Sequence, residues 1–268
     1  HYDMPADSIR RWAGFTDAKP GGNKDFTASA YENVSAPWAS TSEEALKLFL
    51  KYPYLSGMYL WTGFDYLGEP TPYQFPARSS YFGIVDMAGF PKDSYFLYKS
   101  LFSKNNVLHI LPHWNWTDGQ KIDVHVYFNN ADVVELFLNG KLIDKKSKQG
   151  DDLFVRFNGL TYHPGTLKAI SKKNGKKVME TIVKTAQQAY QLVAEADRNT
   201  INVGGEDLSF VKISVLDKNG NLVPYANNEI HFEIAGAGII AALDNGYQAD
   251  LEPYFNKKYR KAYNGLAL

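Results

Sequence analysis

Hydrophobic and polar positions alternate with two different periods along this chain, and the change falls near Asn106. Before it, the pattern is helical in two places. Ser40-Thr41-Ser42-Glu43-Glu44 offers a capping box, a hydroxyl followed three positions on by glutamate. Ala45, Leu46, Leu48, Phe49 and Leu50 then supply one apolar face, and Pro53 stops the helix. Asp93 opens a second helix with a broad stripe of Tyr95, Phe96, Tyr98, Leu101 and Phe102. Between them Gly57 to Thr62 is a short apolar and aromatic run, which predicts a strand buried on both faces as in a parallel sheet. Residues 1 to about 40 are loop-rich, with a turn at Pro20-Gly21-Gly22-Asn23.

After Asn106 the period is two. Val107 to Leu111, Ile122 to Phe128, Val133 to Leu138, Phe154 to Phe157, Gly165 to Ser171 and Val178 to Thr185 read as short strands. Asn139-Gly140 and Asn174-Gly175 are two-residue hairpin turns, because both central positions of such a turn need positive φ. Strands at this spacing predict a β-sandwich. From about Tyr190 a second all-β module begins, with a strand over Asp207 to Val215, a turn at Asp217-Lys218-Asn219-Gly220-Asn221 and a strand over Ile230 to Ile234. Gly236 to Gly246 is glycine-rich, and the apolar Ala262 to Leu268 reads as the middle of a hairpin.

Composition narrows the function classes. A length of 268 residues implies two or three domains, and 44% hydrophobic with 15% aromatic residues permits a large core. A formal net charge of zero supplies no basic surplus to neutralise phosphates, which argues against nucleic acid as a partner. With no cysteine there are no disulfides and no thiolate metal sites. No apolar run is long enough to span a bilayer. The chain opens on His1-Tyr2-Asp3 without an initiator methionine, so it reads as a piece of a longer polypeptide whose missing N-terminal part is its partner.

The chemistry concentrates in the stretch from Ser56 to Asp93. Behind the Gly57–Thr62 run comes a long loop carrying Asp65, Glu69, Pro70, Pro72 and Pro76 among Phe64, Tyr66, Tyr73 and Phe75. Long loops of aromatics and carboxylates at the end of a buried strand tend to be functional. Strand, loop and helix in that order look like the rim of a β/α barrel.

That stretch resembles the last barrel strand and following loop of glycoside hydrolase family 2, in particular its β-galactosidase-like enzymes from gut bacteria. The matching residues are Trp61-Thr62-Gly63-Phe64-Asp65-Tyr66, Gly68-Glu69-Pro70, Tyr81-Phe82-Gly83-Ile84-Val85-Asp86 and Gly89-Phe90-Pro91-Lys92-Asp93. Leu111 to Trp116 and Glu135 to Lys141 resemble the immunoglobulin-like domain that follows the barrel in these enzymes. The resemblance implies a multidomain α/β plus all-β chain. Residues 1–104 would be the C-terminal portion of a (β/α)8 TIM-barrel catalytic domain, 105–188 an immunoglobulin-like β-sandwich, and 189–268 a second, truncated one.

Family 2 enzymes are retaining glycosidases, whose two carboxyl groups stand roughly 5–5.5 Å apart. By resemblance both lie upstream of His1, so this chain alone carries no catalytic pair and is expected to be inactive alone. Trp61 matches the tryptophan that lines the terminal-sugar subsite in the family, where an indole face packs on the C–H side of a pyranose. The plain alternative is core. Asp65 and Glu69 either accept hydrogen bonds from sugar hydroxyls or hold the loop together by accepting backbone N–H groups. Arg78 and Lys92 read as scaffolding. Around Arg78 to Gly83 there is no Asn-x-Lys pair of the kind with which related β-glucuronidases grip a carboxylate, which points to a neutral carbohydrate substrate.

Other features read as structural. His109 and His113 have helical metal-ligand spacing, but Pro112 lies between them, and His125 alternates on a strand, so no metal or other cofactor is expected. His1 is the residue closest to the missing nucleophile segment. Asn33-Val34-Ser35 and Asn115-Trp116-Thr117 fit the glycosylation pattern, which carries no meaning in a bacterial protein. Trp114 and Trp116 are expected to seal the sandwich against the barrel, their alternative being a glycan-binding surface. The residues leave the compartment open, and the resemblance implies periplasm or secretion. The competing function is a non-catalytic glycan-binding or spacer module. The Trp61 loop separates the two, since a spacer has no use for it.

Overall fold

The structure is a computed structural model that describes the backbone at residues 10–11 and the chain at 24–36, 38–71 and 73–268. His1, the Pro20–Asn23 turn and Pro72 lie outside the described residues. The fold is mostly β-sheet with two helices among the described residues.

Its best-packed part is the sandwich that the alternating pattern predicts. One sheet holds β3 (Leu108–Leu111), β4 (Lys121–Phe128) and β7 (Val155–Thr161), in the order β3-β4-β7. The other holds β5 (Val133–Leu138), β6 (Lys141–Lys146), β8 (Thr166–Lys173) and β9 (Lys176–Lys184), in the order β6-β5-β8-β9. All these pairings are antiparallel. Asn139 and Gly140 join β5 to β6 at φ of 51° and 82°, and Asn174 and Gly175 join β8 to β9 at 49° and 76°. Both turns are therefore the left-handed kind that continues strand twist. Ile122, Val124, Val126 and Phe128 of β4 point between the sheets onto Val134, Leu136 and Leu167, among others.

Trp114 is fully buried in that same core, its indole N–H donating to the His163 carbonyl at 3.1 Å. It does not seal a barrel junction. Trp116 stacks on His113 at 4.6 Å, and Tyr225 of the C-terminal module meets His113 edge-on at 4.9 Å. The junction these rings cover lies on the C-terminal side because a core position inside the sandwich takes the first tryptophan and leaves the second at the rim.

Preceding the sandwich are β1 (Arg10–Arg11), paired in parallel with β2 (Val34–Ser35), and the helices α1 (Ser42–Lys51) and α2 (Asp93–Phe102). Thr41 caps α1: its hydroxyl accepts the Glu44 N–H while the Glu44 carboxylate accepts the Thr41 N–H at 2.8 Å, the reciprocal box read from the sequence. Leu46 of α1 and Leu97 of α2 are buried against Leu111, Tyr127 and Phe154, which face outward from the three-stranded sheet. Each such leucine contributes about 1.5–3 kcal/mol when fully withdrawn from water. Two contacts fix the helices on that face. Asp93 at the start of α2 pairs with His109 of β3 at 2.6 Å, and Glu43 of α1 pairs with Arg156 of β7. His109 also stacks on Phe96 at 3.9 Å, so His109 and His113 serve different contacts.

The buried strand expected over Gly57–Thr62 is not formed. Met58 and Leu60 are half-buried while Gly57, Tyr59 and Trp61 are exposed, and the segment joins no sheet among the described residues. A parallel barrel strand takes backbone partners from neighbours on both edges, and among the described residues only Phe82 and Ile84 bond this run, both at its last residue Thr62. The segment is extended, with one bare face. No barrel sheet is visible among the described residues.

In the last module β10 (Gln191–Ala196), β11 (Val211–Leu216) and β14 (Leu266–Ala267) form one sheet, and β12 (Glu229–His231) pairs with β13 (Tyr259–Lys261). They enclose a small core of Ile213, Val215, Ala226, Ile230, Ala262 and Ala267. The strand expected from Asp207 begins only at Val211. Upstream, Asp197 accepts the Phe210 N–H at 2.9 Å and Asp207 accepts the Asn202 N–H at 2.8 Å, and such bonds compete with a ladder. The expected strand over Ile230 to Ile234 shortens to Glu229–His231.

Candidate functional site

The loop from Trp61 to Pro91 doubles back on itself. Ile84 and Val85 donate their N–H groups to the carbonyls of Thr62 and Gly63 at 3.2 and 3.1 Å, and Asp65 N–H returns to the Val85 carbonyl at 2.9 Å. Further out, Gly68 N–H reaches the Arg78 carbonyl at 2.7 Å and Ser80 N–H the Tyr66 carbonyl at 2.8 Å. The crossing is so close that a Cβ on Gly83 would lie 2.1 Å from the Asp65 nitrogen. Only glycine fits there.

Asp65 is the interior knot of this loop. Its side chain is withdrawn from solvent, and both oxygens are committed. Oδ1 accepts the Gly83 N–H at 2.8 Å, while Oδ2 meets Lys92 Nζ at 2.7 Å and the Gln248 side-chain amide at 2.9 Å. Lys92 also donates to the Tyr81 carbonyl at 3.2 Å, which ties the start of α2 to the same knot. Three donors on a buried carboxylate satisfy most of its hydrogen-bonding capacity.

Trp61 and Glu69 lie on the outside. The Trp61 side chain is 73% exposed, and its indole N–H donates to the Tyr66 hydroxyl at 3.0 Å. That hydroxyl donates in turn to the Glu69 carboxylate. The rings of Trp61 and Tyr66 stand edge to face, centroids 6.1 Å apart. Partial burial and then the bond to Glu69 raise the Tyr66 phenol above its ordinary value. Glu69 takes a positive φ of 47° beside Gly68 at 92°, a tight corner that turns its carboxylate back toward Tyr66. The Trp61–Thr62 and Phe75–Pro76 peptides are cis.

Trp61, Tyr66 and Glu69 thus form one exposed line, an apolar ring face continuing into an acceptor. The sequence treats Asp65 and Glu69 alike, whereas the structure separates them: Asp65 points into protein and Glu69 outward. Tyr66, the link in the line, stands inside the motif that carries the resemblance but escaped notice as a site residue. Gln248 gave no sequence signal, since it contacts Asp65 across 183 positions. Arg78 donates to the Glu252 carbonyl at 3.1 Å and lies over the Tyr254 ring at 4.8 Å. The two glycosylation triplets have their amides engaged: Asn33 accepts from Ser29, and Asn115 grips both the N–H and the carbonyl of Ala186. Among the described residues no three histidines or carboxylates converge as metal ligands, and no helix is long and apolar enough to cross a membrane.

Comparison with known proteins gives a consistent outcome. Residues 192–268 match the model for glycoside hydrolase family 2 C-terminal domain 5, and residues 119–179 match a domain described only as of unknown function. A β-galactosidase of Bacteroides ovatus is 47% identical over 268 residues, all of this chain and 31% of that protein. A β-glucuronidase of Formosa agariphila is 26% identical over 159 residues, covering 59% of this chain and 16% of its own length. Among solved structures, a β-glycosidase from Bacteroides vulgatus superposes with a TM-score of 0.83 at 32% identity, over 90% of this chain and 30% of that one. The chain therefore spans less than a third of these longer relatives.

Proposed function

Since this chain belongs to glycoside hydrolase family 2, we propose that the protein it is part of is a retaining β-glycosidase acting on terminal β-galactosides or related neutral β-glycosides. The chain would supply one wall of the sugar site, and its nucleophile and acid/base carboxyls would lie upstream. In this reading residues 1–104 are the closing part of a TIM barrel, 105–188 a first immunoglobulin-like sandwich and 189–268 a second. The bare Gly57 and Tyr59 support it, because the rest of a barrel would cover them and leave Trp61 at its mouth.

The observation that carries the proposal is the outward indole of Trp61, hydrogen-bonded into line with Tyr66 and Glu69. A hexose offers an apolar C–H face and a ring of hydroxyls. An indole excludes water from the first, and a carboxylate accepts from the second. Asp65 would act through position rather than contact. In double displacement one upstream carboxylate attacks the anomeric carbon while the other protonates the leaving oxygen. The second then draws a proton from the water that releases the sugar. The wall's contribution is to hold the ring at the distance that attack requires. A neutral substrate is supported by the stretch Arg78 to Gly83, which holds no Asn-x-Lys pair of the kind that grips a uronic carboxylate.

The test is to assay the full-length protein on chromogenic β-galactoside, β-glucoside and β-glucuronide and to follow the first-formed anomer by NMR. Hydrolysis of the galactoside with retention is the expected outcome. Preference for the glucuronide, or inversion, would overturn it.

A further inference from the structure

The C-terminal module reaches back to the sugar-facing loop at one place. Its residues 243–254 carry no regular secondary structure, yet side-chain hydrogen bonds fix their course. The cause is Arg260 of β13, which is fully buried. Its guanidinium donates to the carbonyls of Leu243, Glu252 and Pro253 at 2.7, 3.1 and 2.6 Å and to the Asp250 carboxylate at 3.0 Å. Asn245 adds bonds to Asp250 and to the Lys261 carbonyl at 2.8 and 2.9 Å. One buried cation thus replaces the ladder the segment lacks.

The outer side of this shaped segment docks on the Trp61–Pro91 loop. The Gln248 carbonyl accepts the Arg78 N–H at 3.0 Å, and the Arg78 side chain lies against Glu252 and Tyr254. Ala249 packs with Tyr73 and Ala77. Gly246 sits so close to Asp86 that a Cβ there would lie 2.2 Å from its Oδ2. At the centre the buried Gln248 amide donates to Asp65, the residue between Trp61 and Tyr66 in the loop.

We propose that Gln248 is a positioning residue for the sugar-facing loop, acting through Asp65, and that the C-terminal module is by this contact a working part of the site. The proposal rests on the reading of Trp61 as a sugar wall. Asp65 keeps Lys92 and Gly83 when Gln248 is removed, so the loop stays folded. What it loses is the one side-chain bond to Asp65 that comes from outside the first 104 residues. A small rotation about Asp65 carries Trp61 and the Tyr66–Glu69 pair with it, and misplacement on this scale weakens the hold on the sugar.

The test compares three variants of the full-length protein, Gln248→Ala, Trp61→Ala and Val215→Ala, on a chromogenic β-galactoside. Val215 is buried in the last module's own core, a cluster that includes no residue of 243–254, so its truncation lowers thermal stability without touching the docking segment. Gln248→Ala is expected to raise KM about tenfold with a smaller fall in kcat, as when ground-state and transition-state binding weaken together. Val215→Ala, at equal or larger loss of Tm, is expected to leave KM unchanged. Combining Gln248→Ala with Asp65→Asn is expected to give far less than the product of the single effects, because both break one contact. An unchanged KM in Gln248→Ala, or an equal rise in Val215→Ala, would overturn the proposal while leaving the site intact, provided Trp61→Ala is crippled. Full turnover in Trp61→Ala would remove the site and the proposal together.

Discussion

At the scale of the residue, the two carboxylates of the loop show how burial divides labour. Asp65 and Glu69 stand four positions apart in a motif legible in the sequence, and nothing in their chemistry distinguishes them. The difference arises from long-range partners: Lys92 and Gln248 converge on Asp65, and Gln248 is far along the chain. Spacing cannot report such contacts. Gly83 is a second case, legible as part of the motif although its reason was not. Gly83→Ala would drive a Cβ to 2.1 Å from the Asp65 nitrogen, inside the loop's tightest crossing. Overpacking of this kind costs about 1–3 kcal/mol. Thermal unfolding of the full-length variant should show that loss together with reduced turnover. A variant of wild-type stability would mean that the crossing is looser than described.

At the scale of the element, the turns and helix starts were the most legible features, because their signals are local. Asn139-Gly140, Asn174-Gly175 and the Thr41–Glu44 box each act within four residues. Strand β4 was legible on one face only. Its alternation located Ile122, Val124, Val126 and Phe128 in the core, but His125 and Tyr127 on the other face are equally buried, Tyr127 against Leu46 of α1 and Leu97 of α2. His125 lies between the rings of Tyr31 and Phe154, both centroids 4.9 Å away, and neither ring nitrogen has a hydrogen-bond partner among the described residues. Burial first, and then the Arg156 charge, push its pKa down to about 3, with Asp93 pulling the other way.

The consequence for stability has a definite sign. Below an ordinary histidine pKa of about 6.5 the unfolded chain binds a proton that the folded chain refuses. Stability contributed by neutral His125 is therefore full above that pH and is lost on acidification toward the folded value. His125→Phe keeps the ring packing and has no proton to bind. Relative to the variant, wild type should lose about 2 kcal/mol between pH 6.5 and pH 5, read as a Tm difference that widens on acidification. A difference independent of pH would show that His125 is protonated in the folded protein.

At the scale of the whole molecule, the modules are stitched rather than merely strung. Asn115 clamps Ala186, Gln187 N–H donates to Asp217 at 2.9 Å, and residues 243–254 return to the loop where the sugar wall is proposed. The sequence made the sandwich and the motif visible because each rests on short-range pattern. It could not show the return contact, nor that the Gly57–Thr62 run would lie extended with a bare face, since both depend on what packs alongside. The central claim is that the Trp61 indole is one wall of a hexose pocket in a retaining glycosidase. Its most direct test is kcat/KM of the full-length Trp61→Ala variant on a β-galactoside, with Tm measured in parallel. Losing an exposed indole leaves the core intact, so Tm should hold while kcat/KM falls about a hundredfold, the scale of a misplaced reactant. Unchanged kcat/KM at unchanged Tm would contradict the claim.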